Sequence, residues 1–217
     1  MLADGWYLDF AADDASFGGY VRLAGSSFWA AVVGLGRHPL VALRDDDVPR
    51  RPGLDVRTDG LWASLTCETP DEHWSVGMEA FATGYDDPAV ALLDERGDVV
   101  ALGFDLEWER SDALWSVHGD VLVGDERLRI DTRGAVAAEP RPPLTGRLDD
   151  GTPLTIDDVI PVVTEYGLLA GGVAADGDVR LQLDPRHAAP VKGVDGIPRA
   201  LCAVTAADGR PGVAWVG

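Results

Sequence analysis

The chain has 217 residues, 46% of them hydrophobic and 25% charged, so it is long enough to bury a sizeable core and too apolar to be disordered. Its formal net charge of -19 repels nucleic acid phosphates and anionic membrane surfaces, which argues against nucleic acid as a partner. No run approaches the roughly 20 apolar residues of a membrane span, and the start, Met1-Leu2-Ala3-Asp4-Gly5-Trp6, lacks the basic and apolar regions of a signal peptide, so a cytoplasmic location is expected.

Along the chain, short apolar or alternating runs are separated by Asp-Gly-type turns, as at Asp149-Asp150-Gly151, Asp176-Gly177-Asp178 and Asp208-Gly209. Gly and Asp tolerate the positive φ of tight hairpin turns, so the pattern predicts antiparallel β hairpins and an all-β fold. Trp6 to Phe10 and Gly19 to Leu23 read as strands, followed by Phe28 to Leu35 and Leu40 to Leu43. The run from Asp45 to Pro52 reads as a solvated loop. Leu61 to Thr66, His73 to Thr83, Val90 to Leu93 and Val99 to Glu109 continue the series. Beyond Trp115 the predicted hairpins pair Gly119 to Val123 with Arg127 to Asp131, and Leu144 to Leu148 with Leu154 to Ile156. Two more pair Gly171 to Ala174 with Val179 to Leu183, and Ala200 to Thr205 with Gly212 to Val216. Asp157 to Glu165 is the one stretch with the look of a short helix or turn.

Strand and turn lengths suggest on the order of 18 strands, enough for two small or incomplete barrels, or one barrel beside a curled sheet. Pro140-Arg141-Pro142-Pro143 is a linker candidate and a break near Ser111 or His118 is another. The expected division is 1–118 for a first barrel and 119–217 for a smaller barrel or curled antiparallel sheet.

Cys67 and Cys202 lie in apolar stretches without a short spacing, which predicts buried free thiols. His38, His73, His118 and His187 are scattered, with no His-x-x-x-His and no Cys-x-x-Cys, so a zinc site is not expected. Gly34-Leu35-Gly36-Arg37-His38-Pro39 ends in proline where a dinucleotide loop needs a helix, and Gly25-Ser26-Ser27-Phe28-Trp29 lacks the closing glycine of a nucleophile elbow.

On a strand, residues two apart share a face, so Asp105, Glu107 and Glu109 oppose Phe104, Leu106 and Trp108. Carboxylates so placed are roughly 7 Å apart at Cα, near the spacing of an inverting glycosidase pair, although a solvated outer face accounts for them more cheaply. If Asp105 points inward it is the best general acid or base. Histidine is the side chain suited to proton transfer near neutrality, which makes His73 a candidate, although a lone histidine beside Glu72 is more often a surface or structural hydrogen-bond group. Tyr7, Tyr20, Tyr85 and Tyr166, with Asp9 and Arg22, are polar groups on apolar strands. They would orient a ligand in a cavity, or be satisfied by backbone within a core. The tryptophans, among them Trp6, Trp62, Trp74, Trp108 and Trp115, would stack on an unsaturated ligand or pack the core.

Four landmarks occur in order. They are Trp6-Tyr7-Leu8-Asp9-Phe10 with Gly18-Gly19-Tyr20-Val21-Arg22-Leu23; Trp62 with Cys67-Glu68-Thr69-Pro70 and Trp74; Phe104-Asp105-Leu106-Glu107-Trp108; and Asp208-Gly209-Arg210-Pro211-Gly212-Val213-Ala214-Trp215-Val216. Together they resemble the two-barrel lipocalin-like family of carotenoid hydratases, tocopherol cyclases and lipocalin-like Diels-Alderases. The resemblance implies tandem antiparallel lipocalin-like (calycin) barrels, the second abbreviated, an apolar cavity, and chemistry without metal or redox cofactor. Hydratase-like members carry a His and Trp motif early in the second barrel, and the stretch here reads Ile130-Asp131-Thr132-Arg133-Gly134 instead.

The function expected on this basis is a cofactor-independent cyclase or isomerase of natural-product biosynthesis, shaping a bulky hydrophobic polyene or terpenoid inside the barrel. Holding a flexible chain in a reactive shape removes up to roughly 7 to 11 kcal/mol of barrier, so shape and one or two polar groups suffice. The catalytic candidates are Asp105, His73 and Tyr20. Substrate contacts fall to Trp6, Tyr7, Asp9, Arg22, Trp62, Trp74, Tyr85, Trp108, Trp115 and Tyr166. The rival function is a non-catalytic carrier or sensor of a small hydrophobic molecule.

Overall fold

The computed structural model describes residues 5–49, 53–93, 97–193 and 196–217. The end of the predicted loop at 50–52 and the first four residues of the chain lie outside them. Seventeen strands form two antiparallel sheets, with no α-helix among the described residues.

The first sheet holds β1 (Gly5–Ala11), β2 (Gly18–Ala24), β3 (Ser27–Val33), β4 (Leu40–Asp45), β5 (Asp55–Thr58), β6 (Leu61–Thr69), β7 (His73–Tyr85), β8 (Asp98–Ser111), β9 (Leu114–Val123) and β10 (Glu126–Ala138). It closes as a ring because β1 pairs with β10 and the end of β7 pairs with β4, Leu40 opposite Tyr85 and Ala42 opposite Thr83. The rest of that edge of β7 carries β6 and then β5. The second sheet, in the order β12 (Pro153–Ile156), β11 (Leu144–Leu148), β17 (Pro211–Val216), β16 (Ala200–Ala206), β15 (Val179–Ala188), β14 (Leu169–Asp176) and β13 (Asp158–Val163), curls as a half-barrel. The four hairpins expected beyond Trp115 all form. In one of them Gly177, at φ +55, begins the two-residue turn between the paired Asp176 and Val179, a conformation that side-chain-bearing residues disfavour.

Alternation decides what each face meets. On β8, Val100, Leu102, Phe104, Leu106 and Trp108 are buried while Asp105, Glu107 and Glu109 are exposed. The inward residues of all ten strands form one cluster, in which Phe10, Phe28, Trp74, Phe104 and Trp108 are the bulky members. Eight strands close the ring, and a barrel of that size is just wide enough for side chains to fill. The fully buried side chains of Phe10, Phe28, Met78 and Trp108 project into this interior, where the resemblance implies a cavity. A second cluster lies on the half-barrel, and a third, with Tyr7, Tyr20, Leu40, Leu201 and Trp215, is the seam between the two sheets.

Three local expectations change. Pro88–Leu92, within the expected Val90 to Leu93 strand, is a 3-10 turn, started by Pro88 and by Asp87, whose carboxylate accepts from Ala89 N at 2.9 Å. Asp158–Val163 is a strand rather than a helix. It lies at the edge of its sheet, the position in which a sheet tolerates a proline such as Pro161. The 118/119 division falls inside β9, which pairs with β8 and β10. The chain passes between sheets at 139–143, the proline-rich linker candidate.

Candidate functional site

The half-barrel covers the outer face of β1 and β2, so β1 is buried on both sides. Leu8 and Phe10 point into the ring, and Tyr7, Asp9 and Ala11 point into the seam. The indole of Trp108 donates to Asp9 O at 2.8 Å from inside the ring, and that of Trp215 donates to Phe10 O at 3.1 Å from the half-barrel. Arg147 on β11 is also buried and binds Asp13 at 2.6 Å and Ala11 O at 2.8 Å, fastening the two sheets at the β1–β2 turn.

Deep in the seam is a polar cluster. Asp9 accepts from Ala135 N at 2.9 Å and from the Thr145 hydroxyl at 3.1 Å. Burial raises its carboxyl pKa to about 6, against the opposing pull of Arg199 and of the hydrogen bonds from Thr145, Tyr7 and Ala135. Burial likewise raises the phenols of Tyr7 and Tyr20, so both stay protonated at neutral pH. Arg199, itself buried, donates to the Tyr7 hydroxyl and to Gly217 O. Its guanidinium lies 3.9 Å from the Tyr20 ring centre, 4.7 Å from Tyr7 and 5.3 Å from Trp215. A desolvated cation among aromatic faces gains more from them than an exposed one does.

Where the seam opens, a cleft of about 610 Å³ is lined by Arg22, Trp29, Glu139, Arg141, Val191 and Arg199. It adjoins a second space of about 420 Å³, lined by Tyr20, Trp29, Tyr85 and Lys192, and the two share Trp29, Pro190 and Val191. Arg22 stacks on Trp29 at 4.3 Å and binds Glu139 at 2.8 Å. Arg141 lies over Tyr7 at 4.2 Å and shares Gly217 O with Arg199. The larger cleft thus gathers three arginines against one glutamate side chain in a chain of net charge -19. Guanidinium forks beside an aromatic shelf suit a ligand with an apolar body and an acidic oxygen.

The sequence-predicted residues separate into four places. Tyr7, Asp9, Tyr20, Arg22 and Tyr85 meet at the seam and its clefts. Trp6, Trp74, Trp108 and Trp115 belong to the ring core, with Trp6 and Trp74 4.4 Å apart, and face none of these clefts. Trp62 lies half exposed on the outside of the ring, its ring lying over Gly77, diagonally across on β7, where a Cβ would stand 2.9 Å from it, and Tyr166 is exposed on the loop after β13. Asp105 and His73 are on the outer face of the ring, so the proviso under which Asp105 becomes the general acid is not met. Cys67 is exposed rather than buried, because β6 runs past the packed part of the ring there, whereas Cys202 is fully buried.

Sequence reasoning missed Trp29, Arg141 and Arg199. Arg199 had one signal: it is the single charge between Ile197-Pro198 and the apolar run beginning at Ala200. No family model, curated protein or solved structure matches the chain.

Proposed function

We propose that the protein binds a bulky, mostly apolar small molecule bearing an acidic oxygen, in the cleft between its sheets, as a carrier or sensor. The observation that carries this reading is the cleft of about 610 Å³ with Trp29 on one wall and Arg22, Arg141 and Arg199 around it. Its size is that of a small-molecule site, which spans roughly 300 to 1,000 Å³. A lipocalin-like ancestry, with the half-barrel as an abbreviated second barrel, fits this reading. It would move the ligand from the barrel interior to the seam.

Cyclisation or isomerisation is a second reading, favoured by one observation: Tyr20 lines the smaller space and Arg199, stacked on its ring, lines the larger, so a phenol and a guanidinium border the adjoining spaces and would polarise a carbonyl bound across them. Asp9 would act only if the seam opened, since Tyr7 and Arg199 stand between it and the cleft.

The test titrates the protein with an isoprenoid carboxylic acid and its methyl ester, following tryptophan fluorescence, and analyses the mixture by mass spectrometry and chromatography. The acid should bind roughly 10- to 100-fold more tightly than the ester, as expected for a charge-assisted hydrogen bond, and Trp29→Ala should abolish the difference in quenching. Recovery of unchanged acid supports the carrier; a product of unchanged mass, lost in Tyr20→Phe, supports the isomerase. Equal binding of acid and ester, or binding indifferent to both Trp29→Ala and Arg141→Ala, would refute the site.

A further inference from the structure

His73, Glu107, Glu109 and His118 share the outer face of the ring-like sheet on three adjacent strands, away from the seam. The register sets His73 on β7 opposite Glu109 on β8, and Glu107 on β8 opposite His118 on β9. One donor atom from each of His73, Glu107 and Glu109 lies within 4.8 Å of the other two. His73 Nε2 is 3.7 Å from Glu107 Oε2, and His118 Nε2 is 3.1 Å from the same oxygen. Two ligands about 2.1 Å from a tetrahedral metal ion are about 3.4 Å apart, so the His73–Glu107 edge already has the span of a metal site.

His73 Nε2 is also a buried nitrogen with no hydrogen-bond partner, although its side chain as a whole is 32% exposed. An imidazole nitrogen shielded from water and left unpaired is costly, and a cation at the focus of the two carboxylates would satisfy it. We propose that His73, Glu107 and Glu109 bind a divalent transition metal ion, with His118 donating to Glu107 as the positioning residue that holds the carboxylate in place. A neutral imidazole with two carboxylates brings a charge of -2 to a +2 ion. The nitrogen ligand selects zinc-like ions over calcium or magnesium, which prefer oxygen alone. Other charges on this face include Glu68, which accepts from the Ser75 hydroxyl beside His73 at 3.0 Å, Asp105, Asp120, the last bound by Arg127 and Arg129, and Asp131, opposite His118 on β10. Three protein ligands leave one position for water.

The experiment is calorimetric titration of the intact chain with Zn²⁺ at neutral pH, with magnesium in excess, together with ¹⁵N NMR of the histidine rings. One zinc ion per chain is expected, with the His73 Nε2 resonance moving on addition. His118→Ala should weaken binding roughly 10- to 100-fold, the usual cost of losing an outer-shell partner, and His73→Ala and Glu109→Gln by more. His38→Ala, which removes a histidine paired with Asp86 and Asp98 elsewhere, should leave binding intact. Circular dichroism of each zinc-free variant checks its fold. Glu109→Gln, a change at an exposed position, keeps the test decisive if His73→Ala misfolds. Absence of binding, binding that survives Glu109→Gln, or an unmoved His73 Nε2 overturns the proposal.

Discussion

Asp9→Asn should stabilise the protein, and increasingly so as pH rises. The Asp9 carboxyl has its pKa raised by burial from 3.8 to about 6 in the folded chain. Below 3.8 the group is protonated in both folded and unfolded states. Between 3.8 and about 6 the folded protein keeps a proton that the unfolded chain has released, so stability falls with rising pH; above 6 the loss is constant. At 1.36 kcal/mol per pH unit the full loss is about 3 kcal/mol, with roughly half of it present at pH 5. Asparagine is neutral and of the same shape. Its oxygen accepts from Ala135 N, and its amide donates to the Thr145 hydroxyl, which can accept. Urea unfolding followed by tryptophan fluorescence should show the variant ahead by about 1.5 kcal/mol at pH 5 and by about 3 kcal/mol at pH 7 and 8. An Asp9→Asn protein that is less stable than the parent at every pH, with no trend, would show that the attraction of Arg199 outweighs burial and that Asp9 is ionised throughout.

Two further outcomes follow from the same seam. Trp215→Ala removes a buried indole packed on Tyr20 and Arg199 and should cost about 3 to 5 kcal/mol in urea unfolding. Trp215→Phe, which forfeits chiefly the bond to Phe10 O, should cost about 1 to 3 kcal/mol; equal losses would mean that packing there is not limiting. Of the two cysteines, Cys202 is buried with its thiol pushed up to about 12, so a thiol reagent at neutral pH should label one cysteine in the native protein, Cys67, and both in denaturant. Labelling of two thiols under native conditions would contradict the packing of β16 against β17.

The hairpins were legible because their turns are local: Gly and Asp at fixed offsets specify both the reversal and the pairing, as at Asp176-Gly177-Asp178. The ring closure was not, since β1 pairs with β10 and β4 with β7 across long stretches of chain that no turn residue marks. Gly134 illustrates the loss: a Cβ there would stand 1.8 Å from Asp9 O, so the residue is glycine because two strands remote in sequence touch. β5 escaped notice for a related reason, as four residues on a sheet edge need little pattern to form.

The site was half visible for a reason of parity. Alternation separates the two faces of β1 but does not say which one lines the ring, and a polar face under a second sheet looks on paper like a polar face in a cavity. What distinguishes the cases is the company each residue keeps. Inside a packed eight-stranded ring an aspartate would meet only the likes of Phe104 and Trp108, whereas in the seam Asp9 finds Thr145 from β11 and the field of Arg199 from beside β16. The polar residues of β1 and the lone arginine before β16 are therefore two halves of one signal. They become readable together only when the outer face of one sheet is recognised as the inner face of the pair. The same logic governs His73, Glu107, Glu109 and His118, whose spacing in the chain has no metal-ligand form and whose convergence is set by register across three strands.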